Sequence, residues 1–241
     1  YMTSNKMQTN KKNMKSIAKM LILLPVAALS LISCNKNGSD INYQSYMTAV
    51  ETTGQEYSCY FISDDYITVI PVNNLSILST FKTNDRVLAT FTIPAGEITD
   101  PVEVEFSAIS KLQTEHVVTS SQPDTLGTDK IDIENAWHSG GVDGLNHFLT
   151  IAYAYNLSGS GKAHDFTLVD NTSVLTNPDK DGYYHLYLTH NSHGDHALMR
   201  TTAVSTFYLD QKFIQPGIKG IRIDYAPLAS DSDRSSVTVD F

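Results

Sequence analysis

The densest group of potential metal ligands in the sequence is the segment of residues 190–196, which reads His-Asn-Ser-His-Gly-Asp-His. Imidazole nitrogens and carboxylate oxygens are ligands that zinc takes in tetrahedral protein sites. His190, His193 and Asp195 are therefore candidate metal ligands, and His164 could complete the set from a neighbouring strand. The same residues also suit a polar hairpin loop, because Asn and Gly favour turns. Both interpretations remain open at this point.

A second candidate site is a row of aromatic side chains on one predicted strand. The row consists of Tyr183, His185 and Tyr187, which alternate with Tyr184, Leu186 and Leu188. Successive side chains of a strand point to opposite faces, so the second set is expected in the core and the first at the surface. An exposed Tyr-His-Tyr row could stack on sugar rings or anchor a protein partner. The alternative is that these are surface tyrosines without a function.

The segment just before this row, residues 177–182, reads Asn-Pro-Asp-Lys-Asp-Gly and resembles the front of a calcium-binding loop. The twelfth position of such a loop would be Leu188, where a bidentate Glu is required. A plain tight turn is therefore the favoured interpretation, because Asp and Gly commonly build turns.

Common catalytic motifs are absent from the sequence. It contains no Gly-x-Ser-x-Gly elbow, no His-Glu-x-x-His pair and no Gly-x-Gly-x-x-Gly phosphate loop. Glu103 and Glu105 alternate with apolar residues, which indicates the solvated face of a strand rather than a pair of catalytic carboxylates. We therefore expect a protein that is not an enzyme and that uses no cofactor.

Alternating polar and apolar residues predict an all-β protein with two domains, which must position these candidate sites. Five short strands within residues 46–120 suit a small barrel, the last of them near Val117 and Val118. Residues 120–128 are polar and contain Pro and Gly, which is typical of a domain boundary. About seven longer strands within residues 129–241 favour an antiparallel β-sandwich.

The N-terminal segment has the layout of an export signal. Residues 1–33 contain a basic region followed by an apolar run at residues 20–29, shorter than the roughly 20 residues that a membrane-spanning helix needs. The following Leu31-Ile32-Ser33-Cys34 resembles the lipobox of bacterial lipoproteins, which implies cleavage before Cys34 and a diacylglycerol on its thiol. Residues 34–45 then form a polar tether. An ordinary signal peptide followed by a chance cysteine is the alternative.

The charge of the chain excludes some partners. Five of the 17 basic residues and none of the 26 acidic residues precede Cys34, so the part from Cys34 onward has a net charge of −14. Nucleic acid requires basic patches and is therefore not an expected partner. Anionic lipid is disfavoured as well, so a membrane association would depend on the acyl chains on Cys34.

The chain contains an ordered series of segments at residues 66–71, 84–87, 129–133 with Ala136 and Trp137, 148–151, 164–169 and 188–195. In their order and spacing, and together with the lipobox, these segments resemble the NigD-like lipoproteins of Bacteroidetes over about residues 45–240. The resemblance implies an OB-like barrel followed by a β-sandwich, and it supplies no catalytic residues. With the strands counted above, the expected fold is all-β, with a five-stranded OB-like barrel before a seven-stranded antiparallel β-sandwich.

The expected function follows from the export signal and this resemblance. We expect a lipoprotein of the outer membrane, at the cell surface or on the periplasmic face, with a non-catalytic binding or scaffolding role. Its partner would be a surface glycan or an envelope protein. Bacteriocin immunity, or another toxin-antagonist role, is the alternative that the family name suggests.

Overall fold

The structure is a computed structural model that describes residues 42–53, 58–73, 75–94, 97–142, 144–158, 161–173, 177–195, 199–228 and 233–241. The predicted signal peptide at residues 1–33, the lipidation site Cys34 and most of the predicted tether at residues 34–45 lie outside these ranges. Strands dominate the described residues, with three short 3₁₀ turns between them. No helix in the described ranges has the length and apolar character needed to cross a membrane.

The N-terminal domain is a closed five-stranded barrel. Its strands are β1 (Tyr43–Glu51), β2 (Cys59–Ser63), β3 (Thr68–Pro71), β4 (Arg86–Thr92) and β5 (Val102–Lys111), in the order β1-β2-β3-β5-β4. The barrel closes where β1 pairs with β4, and every pairing is antiparallel except that of β3 with β5. Phe61, Phe91 and Phe106 pack edge to face inside the barrel, with Phe106 5.4 Å from Phe61 and 6.0 Å from Phe91 between ring centroids.

The C-terminal domain is a β-sandwich of two mixed sheets. Its strands are β6 (Thr114–His116), β7 (Val118–Ser120), β8 (Asp132–Gly140), β9 (His147–Leu157), β10 (Asp165–Asn171), β11 (Tyr183–Asn191), β12 (Met199–Leu209), β13 (Gly220–Tyr225) and β14 (Ser235–Asp240). One sheet has the order β14-β13-β11-β10-β7 and the other the order β6-β12-β9-β8. Leu149, Leu186, Phe207 and Ile221 lie in the hydrophobic core between the two sheets.

The predicted fold class, a five-stranded barrel followed by a β-sandwich, is confirmed, but two details of the strand assignment differ. The strand predicted near Val117 and Val118 does not close the barrel, because β6 pairs in parallel with β12 and β7 in parallel with β10. The fifth barrel strand is instead β1, which starts at Tyr43 within the predicted tether because Tyr43 pairs with Phe91. Within the described residues the sandwich therefore has nine strands, three pairs of them parallel, where seven antiparallel strands were predicted.

The barrel and the sandwich belong to one compact unit and meet at a buried ion pair. Arg86, at the start of β4, donates two hydrogen bonds of 2.6 and 2.7 Å to the carboxylate of Asp64. From the sandwich, the indole N–H of Trp137 donates to the same carboxylate at 2.6 Å. The Arg86 guanidinium also lies 5.1 Å from the ring centroid of Phe148. This junction fixes the end of the barrel against the four-stranded sheet.

Candidate functional site

The predicted aromatic row lies on the outer side of the five-stranded sheet. Leu186 and Leu188 are buried in the sandwich core, as the alternation predicts, and Tyr183, His185 and Tyr187 point to the opposite side and are partly exposed. The neighbouring strand β13 adds Arg222 and Asp224 to this side, and the edge strand β14 adds Asp240. We call these six residues, Tyr183, His185, Tyr187, Arg222, Asp224 and Asp240, the polar face.

Tyr183 leans across one neighbouring strand to reach the next. It is paired with Gly220 on β13, and Gly220 is paired with Asp240 on β14. The Tyr183 hydroxyl donates a 2.7 Å hydrogen bond to Asp240, two strands away. The guanidinium of Arg222 lies 5.2 Å from the ring centroid, a cation–π distance. Tyr183 is thus held in one orientation.

His185 stands between two carboxylates. Its Nδ1 lies 3.0 Å from Asp224 Oδ2 and its Nε2 lies 2.9 Å from Asp179 Oδ2. Asp179 also accepts hydrogen bonds from the backbone N–H groups of Tyr183 and Asp181 and from Arg222. Burial alone would raise the pKa of Asp179, but these hydrogen bonds and the nearby guanidinium lower it to about 2.

Tyr187 connects the polar face to the segment that follows β7. The guanidinium of Arg234 lies 4.6 Å from the ring centroid of Tyr187 and donates a 2.9 Å hydrogen bond to Asp124. Asp124 belongs to the 3₁₀ turn Pro123–Leu126, whose Pro123 is buried. Each member of the predicted row therefore has a fixed partner, and the side chains present planar, oriented groups to solvent.

The turn at residues 177–182 is organised by hydrogen bonds within the protein. The side-chain amide of Asn177 donates to the backbone carbonyl of His185 at 3.1 Å and accepts from its N–H at 2.8 Å. Asp179 and Asp181 face the guanidinium of Arg222 at 2.5 and 4.0 Å, so an arginine takes the place that a cation would occupy. This geometry agrees with the tight turn favoured from the sequence.

The predicted metal ligands do not converge on one point. His190 Nε2 lies 2.9 Å from His164 Nδ1, and His164 Nε2 lies 3.1 Å from Asp195 Oδ2. His193 is turned away from this chain of contacts and pairs with Asp165 at 2.7 Å. The divergence arises because His190 is still in β11, whereas His193 lies in the following turn with φ of +50°.

No set of metal ligands is therefore assembled in the described part of the chain, where no three His, Cys, Asp or Glu side chains are placed to hold an ion. His196 lies outside the described residues. The sequence predicted that His164 could complete a metal site with His190 and Asp195, and it does lie between them. The three are neighbours, but their contacts are mutual hydrogen bonds, and burial lowers the pKa of His190.

A pocket of about 320 Å³ opens beside this histidine pair. It is lined by residues of β9, of the loop after it, and of the loop after β11: Tyr155, Leu157, Gly161, Lys162, His164 and Asp195. Asp195 joins the two loops, since it accepts hydrogen bonds from the backbone N–H of Ser158 at 3.0 Å and from the Ser158 hydroxyl.

This cluster does not have the arrangement of a nucleophilic triad. In a triad the serine hydroxyl contacts an imidazole, which removes its proton. Here the Ser158 hydroxyl donates to Asp195, and His164 contacts the same carboxylate at 3.1 Å. The described contacts of Ser158 and His164 both end on Asp195 and order the two loops.

A family profile identifies the sandwich. The NigD-like C-terminal beta sandwich domain matches residues 114–240, more than half of the chain. The chain belongs to the NigD-like family. The match begins at Thr114, the first residue of β6, so the family domain includes β6 and β7, the region where the sequence predicted the last barrel strand near Val117 and Val118.

Three solved structures are similar to this NigD-like chain. A protein of unknown function from Bacteroides vulgatus has 18% identity and a TM-score of 0.65, over 83% of this chain and 91% of its own. A candidate lipoprotein from Bacteroides fragilis has 12% identity and a TM-score of 0.61, over 83% and 98%. A NigD-like immunity protein from Bacteroides caccae has 18% identity and a TM-score of 0.55, over 84% and 94%. At these identities the likeness establishes the fold alone. No protein with a curated description matches the chain.

Several residues of the polar face of this NigD-like chain were missed from the sequence. Arg222, Asp224 and Asp240 lie 39 to 57 residues after the tyrosines and histidine that they contact. Arg222 and Asp224 are separated by one residue and so share a strand face, which is a usable signal. The spacing of Arg222 and Asp224 does not, however, reveal that their strand lies beside β11.

Proposed function

We propose that this NigD-like chain is a lipid-anchored protein of the bacterial cell envelope with a non-catalytic binding role. The anchor is supported by the basic and apolar regions that lead to Leu31-Ile32-Ser33-Cys34. A structurally similar protein from Bacteroides fragilis is named as a candidate lipoprotein. In this proposal the acyl chains on Cys34 hold the protein at the outer membrane, without a role for basic residues.

The observation that supports a binding role most strongly is the ordered polar face. Tyr183 and His185 each contact carboxylates and lie beside Arg222, so their side chains already occupy one geometry before any partner arrives. Preorganised side chains lose little conformational entropy on binding. Tyrosine and arginine are also enriched in protein interfaces, where they supply much of the binding free energy.

A protein partner fits this face better than a sugar does. Stacking on a sugar ring requires an open aromatic face, and guanidinium groups already lie over the rings of Tyr183 and Tyr187. The hydroxyl of Tyr183 and both ring nitrogens of His185 are also engaged. The edges of these groups and the carboxylates remain available to donors on a protein.

A second candidate function is immunity against a toxin, which also requires a protein partner. It is favoured by the similar structure from Bacteroides caccae, which is described as a NigD-like immunity protein. Under this hypothesis the polar face binds the toxin or the toxin's target, and expression of this chain alone protects a sensitive strain.

The absence of catalysis is part of the proposal. It is supported by the sequence, which contains none of the common catalytic motifs. In the described polar clusters, the Ser158 hydroxyl is directed at Asp195, and the His185 ring is directed at Asp179 and Asp224. Hydrolytic or transfer chemistry instead requires a nucleophile beside a general base.

Two matched substitutions test the polar face. Thr238→Arg adds a bulky cation to β14 within this face, at an exposed position paired with Arg222. Thr202→Arg adds the same side chain at an exposed position of β12, on the other sheet. In-cell crosslinking to a specific envelope protein, or protection of a sensitive strain, should be lost with Thr238→Arg and kept with Thr202→Arg. Equal behaviour of both variants would contradict the assignment, and saturable binding on a glycan panel that Thr238→Arg abolishes would favour sugar recognition instead.

The anchor has its own test. Metabolic labelling with an alkyne fatty acid should mark the wild type and leave Cys34→Ala unlabelled. Protease treatment of intact cells then reports which side of the outer membrane carries the folded domains. Absence of labelling in the wild type would refute the lipid anchor and leave the assignment of the polar face intact.

A further inference from the structure

The contacts of His185 require more hydrogen atoms than a neutral histidine has. Both ring nitrogens lie within hydrogen-bond distance of carboxylate oxygens, 3.0 Å to Asp224 and 2.9 Å to Asp179. A neutral imidazole has one N–H and one lone pair, and an ionised carboxylate only accepts. With a neutral ring, one of the two contacts would place two lone pairs against each other.

The surrounding groups do not supply the missing hydrogen. Asp179 is held ionised, with its pKa lowered to about 2 against the effect of burial, by hydrogen bonds from Tyr183 N–H, His185 and Asp181 N–H and by the guanidinium of Arg222. Arg222 also faces Asp181, on the same turn. The hydroxyl of Tyr183 is directed at Asp240 on β14. On β11 itself, the ring of Tyr187 is turned to Arg234.

We propose that His185, Asp179 and Asp224 together hold one proton more than a neutral imidazole with two ionised carboxylates, and that this proton makes the polar face sensitive to pH. With the proton, His185 donates to both carboxylates and ties β11 to β13 and to the turn at residues 177–182. Without it, one contact becomes repulsive and the turn or Asp224 is released.

The direction of the pH effect follows from proton counting. The folded protein binds one proton more at this cluster than the unfolded chain does above about pH 6.5, where free histidine is mostly neutral. Stability therefore falls as the pH rises, by up to about tenfold in the unfolding equilibrium constant per pH unit. The contribution of the cluster is fully present below about pH 6.5. Binding through the polar face, which rests on the proposed function, should weaken over the same range.

A comparison of two histidine variants isolates this effect. His185→Gln keeps one donor but cannot take up a proton. His193→Gln is the matched control, because His193 contacts one carboxylate only, that of Asp165, and both side chains are about half exposed. Urea unfolding of the purified full chain at pH 6 and pH 8 gives the equilibrium constants.

At each pH, the unfolding equilibrium constant of His185→Gln is divided by that of the wild type. This ratio should fall by roughly ten- to thirtyfold between pH 6 and pH 8. The same ratio for His193→Gln should not change with pH. Nitrogen-15 NMR of the wild type provides a measurement without any variant, and both ring nitrogens of His185 should carry hydrogen at pH 7. A pH-independent ratio for His185→Gln together with one bare ring nitrogen at pH 7 would overturn the proposal. Neither measurement needs a partner, so their failure leaves the proposed function to its own test.

Discussion

Replacing Arg86 by Met should destabilise the protein strongly, because it leaves a carboxylate without its counter-ion at the junction of the two domains. The side chain of Arg86 is 0% exposed and that of Asp64 is 13% exposed. After the substitution, Asp64 keeps the hydrogen bond from Trp137 but loses two charge-assisted bonds. Removing one partner of a buried ion pair costs about 3–5 kcal/mol. Met replaces only the aliphatic part of the side chain, so the cost also includes the hydrogen bonds of the guanidinium to Thr48 and Thr150.

Two further variants bracket this value. Lys82→Met breaks an ion pair with Glu51 whose side chains are 70% and 43% exposed, and it should cost far less than Arg86→Met because solvent screens exposed charges. The double variant Arg86→Met with Asp64→Asn removes both charges, so it should recover much of the loss seen with Arg86→Met alone.

Tryptophan fluorescence during urea unfolding is the appropriate assay. Trp137 is the single tryptophan of the chain, and its indole N–H contacts Asp64 directly, so the signal reports on the junction itself. A loss for Arg86→Met no larger than that for Lys82→Met would refute the reasoning. It would mean that Asp64 is well hydrated once the arginine is gone.

Three other outcomes are expected from the sandwich. Burial, with help from His147, lowers the pKa of His138 to about 4, so this neutral histidine stabilises the fold above about pH 6.5. That contribution to the free energy of unfolding, about 3 kcal/mol at most, is lost as the pH falls toward 4. His138→Gln should therefore lose less stability than the wild type between pH 6.5 and pH 4. A Cβ at Gly220 would lie 2.0 Å from the carbonyl oxygen of Val239. Gly220→Ala should therefore cost more than about 2 kcal/mol in urea unfolding. Gly217→Ala should cost less, because its Cβ meets open space and its penalty comes from the φ of +98° alone. Asp195→Asn should leave the backbone N–H of Ser158 less protected in hydrogen exchange, and unchanged protection would show that other contacts hold that loop.

Strand faces were predictable because they depend on neighbours in the sequence. The alternation at β5 predicts that Val102, Val104 and Phe106 fill the barrel, and the alternation at β11 predicts that Leu186 and Leu188 are buried. On β5 the alternation ends at Ala108, which is exposed while Ile109 is buried. β1 was missed because its buried residues, Met47, Thr48 and Ala49, are consecutive and do not alternate. Only pairing with both β2 and β4 makes that segment a strand.

Partners of the candidate site could not be predicted, because they depend on strand order. His164 contacts His190 across 26 residues, and Tyr183 contacts Asp240 across 57 residues. The three histidines and one aspartate at residues 190–196 suggested one cluster. Because β11 ends between them, His190 and His193 contact different neighbours. Residues that are close in sequence can be expected to share contacts only when they lie in the same strand or turn.

The connector between the domains also bears on how we expect the protein to respond to mechanical load. β6 joins the four-stranded sheet and β7 the five-stranded sheet, and only Val117, packed on the sandwich core, separates them. A pull that is transmitted from the barrel along this connector would act on two parallel strand pairs, β6 with β12 and β7 with β10. We therefore expect both sheets of the sandwich to share such a load.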